Sequence, residues 1–466
     1  MAGEGGLRLR TRLSAGFVLL FNRLYSPPEY ARHQEHLLLP GLRGHCNSLG
    51  DFAQPIRPVL LKPCRDRKLV QIAANNSLAL RTFSQPNDRT NLMLRSRPEG
   101  ISKKDQAHPT TGVPLKTSLD NSSPDEQTNQ VLQVLVWEAI GRMSPNEASK
   151  PDAKPGWVVL DVEAAGICGS EISAFLGKNE LRKPPLVMGH EFSGVVVEVG
   201  DGVSPDWRGK RVVVNPLVTC GICRFCRSGD RQLCLERKIV GIDYPGGFAE
   251  RTAVPIASCT PVTDLLRAAL IEPLACGVRA VGRSEARLGD RTLVFGAGMI
   301  GLSIIKLLRG RGVSQCIAVD TVPSRLKWAK LWGATDTLGA SAEDTAEAVK
   351  RLAPGGLDCV VDAVGHAQTR AQSLAMARRG GRVVFVGLHS DETSLHGNAV
   401  VRSETEIVGS FAYSDDDFRR AVGLAEGGLI DMSGGWLDVR PLSAGQEAFV
   451  EQAAGPAPFS KILLKP

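Results

Sequence analysis

No stretch of this chain stays apolar for long enough to cross a bilayer. The early run "AGFVLLF" falls far short of the roughly 20 residues that a spanning helix needs, so no membrane segment and no membrane partner is expected. Cysteine is also sparse. Eleven in 466 residues is unlike the short, cysteine-dense scaffolds of secreted proteins, and seven of them (Cys46, Cys64, Cys168, Cys259, Cys276, Cys316 and Cys359) are scattered or isolated. The folded part lacks a surplus of positive charge as well. Residues 1–130 hold 18 Lys and Arg against 11 Asp and Glu, the whole of the chain's +7; of the totals of 56 and 49, residues 131–466 keep 38 of each sign. A nucleic-acid-binding protein carries its basic patch on the folded surface, so no nucleic-acid partner is expected.

Residues 1–130 also lack sustained periodicity and end in the polar stretch "LDNSSPDEQTNQ". Their start, "LRLRTRLSAGFVLLFNRLY", is Arg-rich and acid-poor, which is one signature of an organelle-targeting peptide. The reading taken is instead a poorly structured extension, or upstream sequence translated from a misplaced start, on a cytoplasmic protein. From "QVLVWEAIG" onward the pattern is strand-like and globular. With 43% apolar and 23% charged residues, the chain has ample material for a core and is long enough for two or three domains.

Against that sparse background, "CGICRFCRSGDRQLC" (220–234) concentrates four cysteines. Gaps of two residues let thiolates converge on one ion, and Gly221 and Gly229 supply the conformational freedom such a knuckle needs. Cys220, Cys223, Cys226 and Cys234 thus suit a closed, structural zinc site, with Arg224, Arg227 and Arg231 to offset its negative charge. An iron–sulfur cluster is the chemical alternative, and a nucleic-acid-binding zinc ribbon the functional one.

A second set is open. "GICGSE" (166–171) and "GHEFSG" (189–194) offer Cys168, His190 and Glu191, unlike ligands that suit zinc with an exchangeable position. Glu272, in the apolar run "ALIEPLACG", is costly to bury unless paired or metal-bound and is a further candidate ligand.

A third signal is a nucleotide site. In "RTLVFGAGMIGLSIIKLLRGRGVSQCIAVD" (291–320) a strand runs into Gly296, Gly298 and Gly301, then a helix, then a second strand ending at Asp320. Gly296 permits the turn, Gly298 lets a pyrophosphate approach, and Gly301 lets the helix pack on its strand. Asp320, 19 residues after Gly301, would accept hydrogen bonds from ribose hydroxyls and repel a 2′-phosphate, which favours NAD; Arg325 nearby could accept that phosphate. "LDCVVDAVG" (357–365) and "GRVVFVG" (381–387) continue the parallel sheet.

In this order, "GICGSE", "GHEFSG", the cysteine quartet, "GGFAE", "IEPLACG" and "GAGMIG" closely resemble the zinc-dependent medium-chain dehydrogenase/reductase family, most of all its polyol and sugar-alcohol branch of sorbitol, galactitol-phosphate and threonine dehydrogenases. The resemblance covers residues 131–466. It implies an α/β fold: a GroES-like β-rich catalytic domain (131–274), a doubly wound parallel-sheet Rossmann domain (275–412), and completion of the catalytic domain by 413–466. It further implies two zinc ions and NAD. Cys168, His190 and Glu191 would hold the catalytic zinc with Glu272 as fourth or exchanging ligand, and Ser170 would hydrogen-bond the substrate hydroxyl and relay its proton. Ile300, Asp320, Arg325, Val386, Gly387 and Leu388 would line the cofactor pocket. Sorbitol-type enzymes often have a histidine where this chain has Ser173, so the relay would run through Ser170, the nicotinamide ribose and water, or another group takes over.

The expected reaction is reversible oxidation of a secondary alcohol, in a polyol, a sugar alcohol or its phosphate, by hydride transfer to NAD. Threonine dehydrogenase-like or simple alcohol dehydrogenase activity is the alternative, and a non-enzymatic zinc-binding protein a more distant one. Lys178, Arg182 and Lys183 in "LGKNELRKPP" could receive a phosphate, but a solvated loop is the reading taken. A homodimer or homotetramer acting on a small-molecule alcohol is what the resemblance implies.

Overall fold

The computed structural model describes residues 131–466 apart from Pro456, and the side chains of all of these but 342–344. The expected extension over 1–130 lies outside the described residues.

The chain first builds antiparallel sheet. Val131–Ala139 pairs with Arg142–Ser149 and with the short Leu186–Val187. The central strand, Trp157–Gly166, is buried along most of its length in a seven-stranded sheet. One of its edges takes Glu191–Val199; the other is shared between Arg251–Pro255 and the last strand of the chain, Lys461–Lys465. Leu437–Pro441 lies parallel to that last strand, so the C-terminal segment is built into the same sheet. Under it pack Leu135, Leu160, Phe192, Phe248 and Phe449, with the rings of Phe248 and Phe449 edge to face at 5.9 Å. Complete burial of each of these side chains contributes at most about 3 kcal/mol.

The second sheet has six strands, all parallel. Their order is Asp336–Gly339, Gln315–Asp320, Arg291–Phe295, Leu357–Asp362, Ala377–Phe385 and Glu406–Gly409. In chain order this is 3-2-1-4-5-6, the doubly wound arrangement. Its strands read as apolar runs because both faces are covered. Val294, Ala318, Val361 and Val384 face the helices Ile271–Ser284, Met299–Gly310 and Asp415–Glu426, while Leu293, Ile317, Val319, Val360 and Val383 face Val349 and Met376. The strand order reverses between Arg291–Phe295 and Leu357–Asp362, the position at whose carboxyl ends doubly wound sheets bind their ligands. No helix among the described residues is long and apolar enough to cross a membrane.

Candidate active site and metal centres

Strand register is what assembles the first site. Gly166 ends the central strand opposite Glu191, which begins the next, and opposite Leu463 of the last. Cys168, two residues on, and Lys461, two residues before Leu463, therefore arrive at one end of the sheet together with Glu191. "GGFAE" fixes the neighbouring turn. Gly247 and Phe248 donate their amides to the carbonyls of Gly189 (2.8 Å) and Met188 (3.0 Å), and a Cβ on Gly246 would stand 2.3 Å from the Gly189 oxygen. The result is that ligand atoms of Cys168, His190 and Glu191 all lie within 4.8 Å of one another. Glu272 is buried at the start of its helix beside them, but stands outside that mutual distance. Burial pushes its carboxyl up to about 7, against the pull of the His190 ring.

Three charged residues surround the cluster. Glu171 is fully buried and accepts hydrogen bonds from the amides of Cys168 (3.0 Å) and Gly189 (2.9 Å) and from His190 Nδ1 (2.8 Å). Burial alone would push its carboxyl up, but the His190 ring, Arg182 and the Cys168 amide outweigh that and hold it at about 2. A carboxylate only accepts, so the shared proton sits on Nδ1 and Nε2 is the nitrogen left for a metal. Lys461, equally buried, donates to Glu191 and to the Ile167 carbonyl (2.9 Å). Arg182 corrects an expectation. The loop residues on either side of it are exposed, but Arg182 itself is buried, because its guanidinium finds both the hydroxyl (3.2 Å) and the carbonyl (3.4 Å) of Ser170. Lys178 and Lys183 are exposed, as a solvated loop requires. Ser170 in turn donates to Cys168 Sγ at 3.4 Å.

Sequence reasoning missed Glu171 and Lys461. The first had a signal: Cys168 caps the helix Gly169–Phe175, and Glu171, three residues on, returns a bond to the cap amide, which is capping-box spacing. The second had none, since a lysine opening the apolar run "KILLK" reads as a strand end.

The cysteine quartet lies in an excursion closed by the pairing of Leu217–Val218 with Lys238–Ile239. Gly221 and Gly229 have φ of +74° and +82°, conformations that favour glycine. Sulfur separations are 3.5 Å (Cys223–Cys226), 3.6 Å (Cys220–Cys234) and 3.9 Å (Cys220–Cys226). Four thiolates about 2.3 Å from one zinc sit about 3.8 Å apart, so these separations suit that ion. Amides of Ile222 and Cys223 draw the Cys220 thiol down to about 7. Of the expected offsetting arginines, Arg231 pairs with Asp415 (3.7 Å) and Arg224 lies on the Phe225 ring.

At the parallel sheet, Gly296 has φ +90°, and a Cβ on Gly301 would stand 1.8 Å from the Gly296 carbonyl, so both glycines are required by the turn. A Cβ on Gly298 would meet nothing, which leaves open space before the helix N-terminus. Asp320 is buried and accepts the amides of Ala297 (2.7 Å) and Val322 (2.9 Å). Gly387 closes on the Val364–Gly365 turn, Val386 and Ile300 are half-buried, and Leu388 is exposed beside them. Arg325 is partly buried with its Nε unpartnered. Turn, open space and buried acid together suit a dinucleotide.

A β-rich domain with an open Cys–His–Glu cluster, joined to a doubly wound domain with this turn, defines a zinc-type, nucleotide-dependent dehydrogenase. Comparison with known proteins agrees. Residues 154–264 match the alcohol dehydrogenase GroES-like domain and 300–427 the zinc-binding dehydrogenase domain. The protein named "Probable D-xylulose reductase A" of Arthroderma otae is 33% identical over 334 residues, 69% of this chain and 94% of that one. Among solved structures, a "putative zinc-binding dehydrogenase" of Sinorhizobium meliloti 1021 bound to NADP is 31% identical with a TM-score of 0.67, over 72% of this chain and 100% of that one. An Escherichia coli CFT073 alcohol dehydrogenase in complex with NADH is 28% identical with the same TM-score, over 72% and 99%. The chain belongs to the zinc-dependent medium-chain alcohol and polyol dehydrogenases, an oxidoreductase family, as the motifs implied.

Proposed function

We propose that this chain oxidises a secondary alcohol of a polyol or sugar-derived molecule, reversibly, with NAD as hydride acceptor. The observation that carries the reading is the convergence of Cys168, His190 and Glu191 with Ser170 at hydrogen-bonding distance from the cysteine sulfur. Cys168, His190 and Glu191 would hold the catalytic zinc, with Glu272 as the exchanging fourth ligand and the cysteine quartet holding a second, structural zinc. When bound, the zinc supplies Lewis acidity at the alcohol oxygen and the nicotinamide supplies the hydride acceptor.

The rest is the work of the chain. Glu171 fixes the His190 ring. Ser170 would relay the alcohol's proton, accepting it as its own hydroxyl proton is released to water. Gly296, Gly298 and Gly301 would hold the dinucleotide's pyrophosphate at the start of the helix Met299–Gly310, Asp320 and Arg325 would serve its adenosine ribose, and Ile300, Val386, Gly387 and Leu388 would line the pocket. The polyol assignment draws on the xylulose reductase likeness. We read the protein as a cytoplasmic homodimer or homotetramer with neither nucleic-acid nor membrane partners. The balanced charge of residues 131–466 supports the lack of a nucleic-acid partner, and the nine described cysteines, none of them in a disulfide, support the cytoplasmic reading.

A paired assay tests the reading: metal per chain, and NADH formation across polyols, sugar-alcohol phosphates, threonine and simple alcohols. Two zincs and turnover of a polyol are expected. One zinc, no turnover and no nicotinamide binding would overturn it.

A further inference from the structure

The loop between the two ligand motifs sends a single cation inward. Arg182 is 5% exposed, while Leu181 beside it is 77% exposed. Burying a guanidinium is unfavourable unless partners compensate, and among the described residues no carboxylate lies within ion-pair distance of it. Its terminal nitrogens go instead to one residue. Nη2 donates to Ser170 Oγ (3.2 Å) and Nη1 to the Ser170 carbonyl (3.4 Å), an oxygen that Asn179 Nδ2 also reaches (3.4 Å). Nη2 also lies 3.4 Å from His190 Nδ1, but that nitrogen points its proton at Glu171 and accepts nothing. Nε is buried without a partner.

A hydroxyl has one proton and two lone pairs. At Ser170 the proton faces Cys168 Sγ, and Arg182 fills one lone pair. We propose that Arg182 is a positioning residue for Ser170: by gripping both its side chain and its main chain it leaves the hydroxyl one free lone pair in a fixed direction, toward the alcohol. The proposal rests on Ser170 being the proton-transferring group.

A double-mutant cycle tests it. Arg182→Gln should lower kcat about 10- to 100-fold, the range for groups that orient a reacting centre, with metal per chain and the KM for NAD unchanged. In a Ser170→Ala background the same substitution should lower kcat less than about twofold, because nothing is left to position. Arg182→Lys, which keeps the charge but cannot span both oxygens, should fall between and covers the case in which the glutamine variant fails to fold. Added guanidinium should restore turnover to Arg182→Ala but not to Arg182→Ala combined with Ser170→Ala. Equal losses in both backgrounds, or full activity in Arg182→Gln, would overturn the proposal. Wild-type turnover in Ser170→Ala alone would remove the reading of Ser170 and the proposal with it; the first two outcomes leave that reading standing.

Discussion

The two candidate metal-ligand sets of this chain are built on opposite plans. The quartet takes four like ligands from fifteen consecutive residues, turns them inward through local backbone conformation, and stays half exposed. The Cys168–His190–Glu191 set takes unlike ligands from residues 168 to 191, and two antiparallel strands must be in register before they meet. Around the quartet, charged groups pair with one another at the surface. Around the open set Glu171, Arg182 and Lys461 are buried, each unfavourable alone and tolerated because each is bonded. A closed site needs only itself, whereas an open one that must bind and release substrate is held in shape by its surroundings.

Separate substitutions should make that difference visible. His190→Ala should abolish turnover while nicotinamide binding, followed by fluorescence, stays close to that of the parent. Cys226→Ser should do the reverse, because binding energy at a closed metal site is folding energy: one metal lost per chain, a lower melting temperature, and turnover kept in proportion to the folded fraction. Turnover surviving in His190→Ala, or vanishing in Cys226→Ser at an unchanged melting temperature, would break the contrast.

The next effect is smaller and concerns only the open site. Glu171→Gln keeps the shape of the side chain but replaces an acceptor-only carboxylate with an amide, so the His190 proton loses its ionic partner. Metal affinity at that site or turnover should fall about 10- to 100-fold, with the quartet's metal retained. An equal loss at both sites would mean general unfolding rather than a loosened imidazole.

How much of this could be read beforehand follows the same contrast. The quartet is legible because its geometry is local: two-residue gaps and two glycines say nearly everything the structure later shows. The strand, turn and helix around Gly296, Gly298 and Gly301 are legible for the same reason, since one steric contact, from the Gly301 Cβ position to the Gly296 carbonyl, fixes the motif. Cys168 and His190 could be named as ligands, but nothing local placed them together. Their environment was harder still. Lys461 reaches Glu191 across 270 residues of chain, and Arg182 looks like any basic loop residue until the fold turns it toward Ser170. Long-range charge pairing leaves no periodicity in a sequence.

The smallest effect belongs to the nucleotide end, where local and non-local demands meet on one residue. Asp320 is expected to select NAD by its charge, yet both its oxygens already accept main-chain amides, from Ala297 and Val322. A carboxylate has lone pairs to spare after two such bonds, so it can hold the turn and still face a ribose. Asp320→Ser would give up both roles in part. The ratio of kcat/KM for NAD to that for NADP should fall about tenfold, which corresponds to about 1.4 kcal/mol, and stability should fall by about 1 kcal/mol as the two amides lose their acceptor. If stability falls while the ratio stays put, the carboxylate serves the turn alone, and cofactor choice rests with Arg325 and its neighbours.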